Sequence, residues 1–260
     1  MIITVFGIIS PLIAASLCLF VPISWWWCAP IALGVFTMLN VWLVLSKYVQ
    51  SLFLKKEVGG KPSAYCRFWV IRVVEWFNTL AGVSVKLEGE ENIPDEPCLL
   101  ICNHRSLFDA TVALAALRRR KMSVIAKESV FRLPIVGPFI RRSACLPLDR
   151  GNPRKGLATL KNASKLITEY GMDVLIYPEG TRSPDTELLP FKEGAFMVAK
   201  WAKAPIVVLK IEGTERIKGR SPLRKTRVTL RVVGVIDKPC VEETRVTPLS
   251  DKARDIMLNS

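Results

Sequence analysis

The amino-acid sequence predicts an α/β protein, with a mostly parallel twisted sheet flanked by helices and an N-terminal two-helix membrane hairpin. From residue 83 onward, short apolar runs alternate with stretches of helical periodicity, the pattern of chains whose parallel sheet is covered by helices. Residues 1–46, in contrast, contain no charged side chain. We therefore divide the chain into a membrane hairpin (1–46), a basic juxtamembrane and interfacial segment (47–82) and a cytoplasmic α/β domain (83–260).

The first 46 residues are too long for a single membrane helix. At about 1.5 Å per residue they would far exceed the roughly 30 Å hydrocarbon core of a bilayer. The prolines and the tryptophan triplet of Pro22–Pro30 suit a turn at the membrane interface. Ile2–Val21 and Ile31–Leu45 are therefore predicted as membrane helices, the second one short. No basic segment precedes the apolar run, which disfavours a signal peptide. The sequence leaves open whether the hairpin spans the bilayer or re-enters it.

The segment 47–82 begins with basic residues and continues with apolar ones. The basic residues outnumber the one acidic residue of its first part: Lys47, Lys55, Lys56, Lys61 and Arg67 against Glu57. The positive-inside rule then places the rest of the chain on the cytoplasmic face of a membrane, the inner or plasma membrane if the source is bacterial. Cys66–Leu80 is largely apolar, and we interpret it either as an interfacial helix or as a helix that covers the sheet.

The α/β domain is predicted to contain strands that alternate with helices. The predicted strands are Val83–Leu87, Pro97–Cys102, Met122–Ala126, Ala144–Leu148, Val174–Tyr177, Ile206–Ile211 and Val228–Ile236. The predicted helices are Asp109–Arg120, Lys155–Tyr170 and Lys192–Lys203. Gly171 follows the second of these helices, where a glycine commonly ends a helix. The last residues, 252–260, are polar and give no prediction.

The composition points to an anionic partner. The 260 residues include 37 Lys and Arg against 23 Asp and Glu, a net charge of +14, which suits anionic lipid, acidic soluble substrates or nucleic acid. The basic clusters lack interleaved aromatic residues, which disfavours nucleic-acid binding. Seven cysteines form no C-x-x-C pair, and there is a single histidine. We therefore expect no metal site and no disulfide framework, but reduced thiols facing the cytosol.

The single histidine, His104, lies in the segment Asn103–Asp109. The segment joins a predicted buried strand to a predicted helix, and open α/β sheets bind ligands at such carboxyl ends of strands. Histidine can take and return a proton near neutral pH, and Asp109 could orient its ring. The alternatives are a structural histidine and a capping box in which Asp109 pairs with Ser106.

A second segment, Tyr177–Ser183, also follows a predicted buried strand, so the same rule places it on the same edge of the sheet as His104. Its arginine, glycine and hydroxyl side chains suit a phosphate group. Leu148–Gly151 ends a third strand and adds Arg150 to that edge. The alternative for both segments is an ordinary surface turn.

Together these segments resemble the PlsC-like glycerolipid acyltransferases, the lysophosphatidate acyltransferase family. Asn103–Asp109 matches the NHxxxxD signature of that family, and Tyr177–Ser183 is similar to its FPEGTRS block, with Tyr in place of Phe. Leu148–Arg150 resembles the middle block and Ala204–Val207 the last one, in the order of the family. One departure is Val208, where a second proline often stands; it leaves acceptor preference more open than catalysis.

The resemblance covers about residues 85 to 215 and implies roles for individual residues. His104 would be the general base that deprotonates the acceptor hydroxyl, and Asp109 would orient it. The glycerol phosphate of the acceptor would be held by Glu179, Gly180, Thr181 and Arg182, aided by Arg150. The resemblance implies no acyl-enzyme, no metal and no cofactor; acyl-CoA or acyl carrier protein would bring the acyl group as co-substrate.

The expected function is therefore acylation of lysophosphatidate to phosphatidate in phospholipid biosynthesis, at an anionic phospholipid membrane. One alternative is an acyltransferase for a different lysolipid acceptor. Another is a catalytically silent membrane protein that binds lipid or nucleic acid. Between the middle blocks, Phe131–Ile140 is apolar. We hypothesise that it lines the path of the acyl chain or touches the bilayer, with ordinary core packing as the alternative.

Overall fold

The computed structural model describes residues 2–20, 25–54, 61–183, 187–217 and 225–260. The chain divides into two compact units, Met1–Leu54 and Lys55–Ser260. The described residues leave out Val21, the predicted end of the first helix, residues 22–24 of the predicted interfacial turn, and the basic residues Lys55 and Lys56.

The first unit contains two helices that pack against each other, α1 (Ile2–Phe20) and α2 (Cys28–Phe53). By length and composition alone, α2 could cross a membrane. It is longer than the predicted Ile31–Leu45, because the end of an apolar run is not the end of a helix. Lys47 and Gln50, which favour helix and share a hydrogen bond of 3.0 Å, continue it. The membrane hairpin itself stays a prediction.

The second unit begins with α3 (Ala64–Leu80), whose first turn is capped by the Ser63 hydroxyl accepting the N–H of Cys66. One face of α3 is buried at helical spacing: Cys66, Val70, Val74 and Asn78. The other face is apolar and exposed: Tyr65, Phe68, Val73, Trp76, Phe77 and Leu80. The buried face agrees with a helix that packs on the α/β domain, and the interfacial interpretation stays a prediction.

Seven strands of the described residues form one sheet, in the order β1-β7-β6-β2-β5-β3-β4. In chain order they are β1 (Val83–Glu88), β2 (Leu99–Cys102), β3 (Met122–Lys127), β4 (Leu146–Leu148), β5 (Asp173–Ile176), β6 (Ile206–Glu212) and β7 (Thr226–Ile236). Strands β2 to β6 are parallel to one another, whereas β7 runs antiparallel to β6 and β1 runs parallel to β7. The predicted mostly parallel sheet is confirmed.

Both faces of the sheet are covered, because alternate side chains of a buried strand point to opposite faces. In β2, Leu99 and Ile101 belong to one apolar core, and Leu100 and Cys102 belong to the other. The first core is covered by α6 (Pro153–Tyr170), α7 (Met197–Ala202) and α9 (Val246–Leu258), and the second by α4 (Asp109–Ala116). The remaining helices are α5 (Val136–Arg142) and α8 (Lys238–Glu243).

The structure corrects several predicted boundaries. Helix α4 ends at Ala116 rather than Arg120, and α7 begins at Met197 after a short 3-10 turn rather than at Lys192. The polar C-terminal residues 252–260 carry no predicted element, yet 252–258 belong to α9, which buries Leu249, Ala253 and Met257 at a spacing of four residues. This apolar stripe is too narrow to stand out from the polar residues around it.

The apolar segment Phe131–Ile140 contributes to the interior of this unit. Phe131 and Phe139 are buried, and the ring of Phe139 lies 6.4 Å from that of Tyr65 in α3. At Gly137, a Cβ atom would come within 2.3 Å of the Phe131 carbonyl oxygen, so the chain packs here at a distance that only glycine permits. These contacts favour the core-packing alternative over an acyl-chain path.

Candidate active site

The loop that follows β2 is fixed to the neighbouring strand β6 by Asn103. Its side-chain amide donates to the carbonyl oxygen of Ile211 over 2.9 Å and accepts the N–H of Ile211 over 2.7 Å. Asn103 is buried, so this pair of hydrogen bonds is shielded from water. It holds the residue before His104 in register with β6. The sequence placed Asn103 in a signature but gave it no role.

His104 and Asp109 are in direct contact. The Nδ1 atom of His104 lies 2.8 Å from Oδ2 of Asp109, and the Asp109 carboxylate is completely buried. The same Oδ2 atom accepts the backbone N–H groups of Arg105, over 2.7 Å, and Ser106, over 2.8 Å. The bond from Ser106 is one half of the predicted capping box, but the N-cap residue of α4 is Phe108, which has no side-chain cap hydrogen bond. The carboxylate therefore orients the histidine and fixes the turn that precedes α4.

This contact decides which nitrogen of His104 can act as a base. A carboxylate only accepts hydrogen bonds, so the proton of the neutral imidazole must lie on Nδ1, and Nε2 keeps its lone pair. The side chain of His104 is 16% exposed, and its ring stacks on that of Tyr177 with centroids 4.5 Å apart. The imidazole is thus held by a carboxylate at one nitrogen and by an aromatic ring on one face.

The segment Tyr177–Ser183 lies beside His104, as the strand-end rule predicts, because β5 pairs with β2. Two backbone groups of His104 are bound by it. The N–H of His104 donates to Oε1 of Glu179 over 2.6 Å, and its carbonyl oxygen accepts the N–H of Ser183 over 2.9 Å. The two sequence segments therefore form one hydrogen-bonded unit.

Glu179 is buried within this unit, and both of its oxygens accept backbone N–H groups. Besides His104, its Oε2 atom accepts the N–H of Leu189 over 3.1 Å. Burial raises the pKa of Glu179, and the two backbone hydrogen bonds oppose that effect. A carboxylate engaged in this way holds the candidate catalytic loop, residues 103–109, in place. A direct contact of Glu179 with a phosphate stays a prediction.

The next three residues, Gly180 to Arg182, are less buried than Glu179. Gly180 has a left-handed backbone (φ +69°), and a Cβ atom there would come within 2.8 Å of Lys192 Cε. The left-handed backbone favours glycine here, whereas the end of the flexible Lys192 side chain could move away from a Cβ atom. Thr181 and Arg182 are exposed, so both side chains are accessible to a ligand.

The order of the strands places further cations along the same edge. From β2 it runs through β5 and β3 to β4, and Arg150 follows β4 with an exposed side chain. Strand β3 lies between β5 and β4, and its last residue, Lys127, is also exposed. Sequence reasoning missed Lys127, although a lysine at the carboxyl end of a predicted strand was a usable signal. His104, Arg182, Lys127 and Arg150 follow the order of their strands along this edge.

Val208, which stands where the resembled family often has a second proline, lies away from this edge of the sheet. Val208 is in the middle of β6, completely buried, and belongs to the apolar core beneath α6, α7 and α9. It precedes an irregularity in the pairing of β6 with β7. Because its side chain packs in the core, this residue does not contribute a polar contact to the site.

Comparison with known proteins agrees with the geometry. The family model described as "Acyltransferase" matches residues 84–212, a range that contains His104, Asp109, Arg150 and the segment Tyr177–Ser183. Residues 84–212 form a domain of the acyltransferase family. The predicted family and the enzyme class, an acyltransferase, are thereby confirmed.

This acyltransferase is similar to proteins of several organisms. Over 223 residues, which are 84% of this chain and 71% of the relative, it is 28% identical to the 1-acyl-sn-glycerol-3-phosphate acyltransferase of Saccharomyces cerevisiae. It is 36% identical over 133 residues, 50% of this chain and 38% of the relative, to a chloroplastic 1-acyl-sn-glycerol-3-phosphate acyltransferase of Brassica napus. The chain thus spans only part of these curated relatives.

A solved structure shares the fold. The crystal structure of the 1-acyl-sn-glycerophosphate acyltransferase PlsC from Thermotoga maritima superimposes on this acyltransferase with a TM-score of 0.62 at 26% identity, covering 84% of this chain and 86% of PlsC. The α/β architecture described above is therefore that of a known acyltransferase.

Proposed function

We propose that this acyltransferase transfers an acyl group from acyl-CoA or acyl carrier protein to the free hydroxyl of lysophosphatidate, forming phosphatidate in phospholipid biosynthesis. The contact between His104 and Asp109, beside a row of exposed cations, carries this proposal. The names of the relatives support the acceptor. The geometry supports the chemistry, because a base and a phosphate-binding surface are what this reaction requires.

In the proposed reaction His104 acts directly on the acceptor. Its Nε2 atom takes the proton from the hydroxyl as the oxygen attacks the thioester carbonyl. The tetrahedral intermediate then breaks its C–S bond, and the imidazolium returns the proton to the leaving thiolate. Asp109 stabilises the positive ring during these steps. General-base assistance of this kind contributes about 10²- to 10⁴-fold in rate.

A covalent acyl-enzyme is not part of the proposal. Cys102 is the cysteine nearest to His104 in the chain, and it is completely buried. Burial raises the pKa of its thiol well above the usual range, and the negative charge of Asp109 raises it further. Because the thiolate is the nucleophilic form of cysteine, Cys102 is a poor nucleophile.

The glycerol phosphate of lysophosphatidate is assigned to the exposed cations at this edge. Arg182 can form the bidentate contact that a phosphate favours, and the Thr181 hydroxyl can add a hydrogen bond. Arg150 and Lys127 extend the positive surface. Glu179 contributes indirectly, since its carboxylate fixes the loop that carries His104.

The test of this function is acyl transfer from labelled long-chain acyl-CoA to lysophosphatidate by the detergent-purified full chain, beside a His104→Ala variant. The variant should lose about 10³-fold in kcat while its affinity for lysophosphatidate, measured by equilibrium binding, is retained. Transfer that persists in the variant would show that His104 is not the base. If the wild type fails with both acyl-CoA and acyl carrier protein donors, other lysolipids become the next acceptors to compare.

A second variant separates binding from chemistry in the same assay. Arg182→Ala should raise the KM for lysophosphatidate by roughly 10- to 100-fold with a smaller change in kcat, because a charge-assisted contact to the phosphate is lost. Arg119→Ala is the matched control, since Arg119 is exposed and precedes β3, at the amino edge of the sheet. Equal changes in both variants would contradict the assignment of Arg182.

We further propose that the exposed face of α3 meets the cytoplasmic surface of an anionic membrane. This face is connected to the catalytic loop, because the ring of Phe77 stacks on that of Phe108 with centroids 5.0 Å apart. Leu107, three residues after His104, is 72% exposed. Aromatic residues suit the membrane interface, so this orientation would bring a lipid acceptor to His104 without removing it fully from the bilayer.

This orientation predicts a substrate-dependent effect at Trp76. A Trp76→Asp variant should transfer acyl groups several-fold more slowly to lysophosphatidate presented in anionic vesicles, because a charge replaces an interfacial aromatic ring. The rate with a short-chain, monomeric acceptor should not change. Leu157→Asp, an equally exposed apolar position on α6, is the control, and identical losses in the two variants would refute the proposed orientation.

A further inference from the structure

The Asp109 carboxylate has one hydrogen bond that the mechanism above does not use. Its Oδ1 atom accepts the hydroxyl of Thr214 over 2.5 Å, and both residues are completely buried. The other oxygen, Oδ2, receives three N–H groups, from the His104 ring and from the backbone of Arg105 and Ser106. Among the described residues, Thr214 is the one donor recorded for Oδ1.

The turn after β6 places Thr214 beside the Asp109 carboxylate. Gly213 has a left-handed backbone (φ +94°), and a Cβ atom there would come within 2.5 Å of the Arg227 carbonyl oxygen. A short 3-10 helix, Thr214–Ile217, begins directly after it. Its start is fastened because the Glu215 carboxylate accepts the N–H of Gly213 over 3.1 Å. The position of the Thr214 hydroxyl is therefore set by backbone that has little freedom to move.

The end of β6 thus holds both ends of the catalytic loop. Ile211 binds Asn103, immediately before His104, and Thr214 binds Asp109, five residues after it. Thr214 lies two residues beyond the range matched by the family model, 84–212.

We propose that Thr214 is a positioning residue that orients the Asp109 carboxylate so that Oδ2 holds the proton of His104 on Nδ1. The proposal rests on the proposed function in that it takes His104 as the base. A carboxylate turns readily about its Cβ–Cγ bond, because this terminal torsion is broad and roughly two-fold. The Thr214 hydroxyl fixes that torsion.

Loss of the hydroxyl would leave Oδ1 as a buried acceptor without a partner, a costly arrangement. The carboxylate would then turn to share the N–H groups of Arg105 and Ser106 between its two oxygens. This rotation draws Oδ2 away from the imidazole ring. The proton of His104 would no longer be confined to Nδ1, and a smaller fraction of the protein would present the Nε2 lone pair to the acceptor.

Thr214→Val tests this, because valine has nearly the shape of threonine and lacks the hydroxyl. Thr214→Ser, which keeps the hydroxyl, is the rescue variant. Thr226→Val is the matched control, since Thr226 is also a buried threonine and its hydroxyl has no partner among the described residues. His104 is the only histidine in the chain, so the 15N spectrum of histidine-labelled, detergent-solubilised protein reports its tautomer without overlap.

Thr214→Val should lower kcat by roughly 10- to 100-fold and leave the KM for lysophosphatidate within about twofold. Its histidine spectrum should change from one with the proton on Nδ1 to a mixture of tautomers. Thr214→Ser should restore both readouts, and Thr226→Val should resemble the wild type. A Thr214→Val protein with the wild-type histidine spectrum would overturn the proposal, whatever its activity. If lysophosphatidate is not a substrate of the wild type but the spectrum changes as expected, the acceptor assignment fails and the role of Thr214 stands.

Discussion

Replacing Asp109 with asparagine is expected to lower kcat by about 10³- to 10⁴-fold while the protein stays folded. The asparagine can occupy the same hydrogen-bond network. Its oxygen can take the place of Oδ2, which accepts three N–H groups, and its NH₂ group can donate to the Thr214 hydroxyl in place of Oδ1. What is lost is the negative charge that stabilises the imidazolium of His104. The variant therefore tests charge rather than geometry.

Steady-state kinetics with lysophosphatidate and acyl-CoA, together with thermal unfolding, would check this expectation. Asp173→Asn is the control, because Asp173 is also buried but pairs with Arg120, over 2.5 and 3.0 Å, at the amino end of β5. Breaking that pair should lower the free energy of unfolding by about 3–5 kcal/mol with little change in kcat of the folded protein. A kcat of the Asp109→Asn variant within tenfold of wild type would show that the charge is dispensable.

The sheet was predictable because its strands are short, continuous apolar runs. Each predicted strand overlaps an observed one, and most boundaries agree within two residues. The antiparallel direction of β7 was not predicted, since direction depends on how β6 connects to β7 and not on the apolar pattern of either strand. Helix α5 was not predicted, because it lies in an apolar segment that contains Pro134, Gly137 and Pro138 within five residues, and helical periodicity is hard to detect there.

The candidate site was predictable in its location but not in its hydrogen bonds. Because the carboxyl ends of parallel strands lie at one edge of the sheet, the strand-end rule places His104 beside Tyr177–Ser183. The apolar pattern of the strands carries no further detail. It could not reveal that Thr214 contacts Asp109, because the two residues are 105 positions apart and meet only through the pairing of β2 with β6. For the same reason Glu179 could not be recognised as a partner of the His104 backbone, 75 positions away.

Replacing Glu179 with leucine is expected to lower kcat by about 10²- to 10³-fold with little change in the KM for lysophosphatidate. Leucine removes the acceptor of two partly buried backbone N–H groups, those of His104 and Leu189. The catalytic loop would then shift, and a small displacement of a base costs much in rate. The free energy of unfolding should also fall, by about 1–3 kcal/mol for each N–H left unpaired.

Kinetics and denaturant unfolding of Glu179→Leu and Glu179→Gln distinguish a positioning role from a phosphate contact. Glutamine keeps one acceptor, so its loss in kcat should be intermediate. Glu169→Gln, at an exposed position of α6, is the matched control. A large rise in KM with an unchanged kcat in Glu179→Leu would instead indicate that Glu179 acts on the phosphate of the acceptor.

The pH dependence of stability gives an independent check on Glu179. Burial raises the pKa of this carboxyl group in the folded protein, so the folded state binds its proton more tightly than the unfolded chain does. The resulting contribution to stability is fully present below the unfolded pKa of the group and is lost as the pH rises through its folded pKa. The free energy of unfolding of the wild type, relative to that of Glu179→Gln, should therefore decrease as the pH rises through this window. An increase would mean that the hydrogen bonds from His104 and Leu189 outweigh the effect of burial.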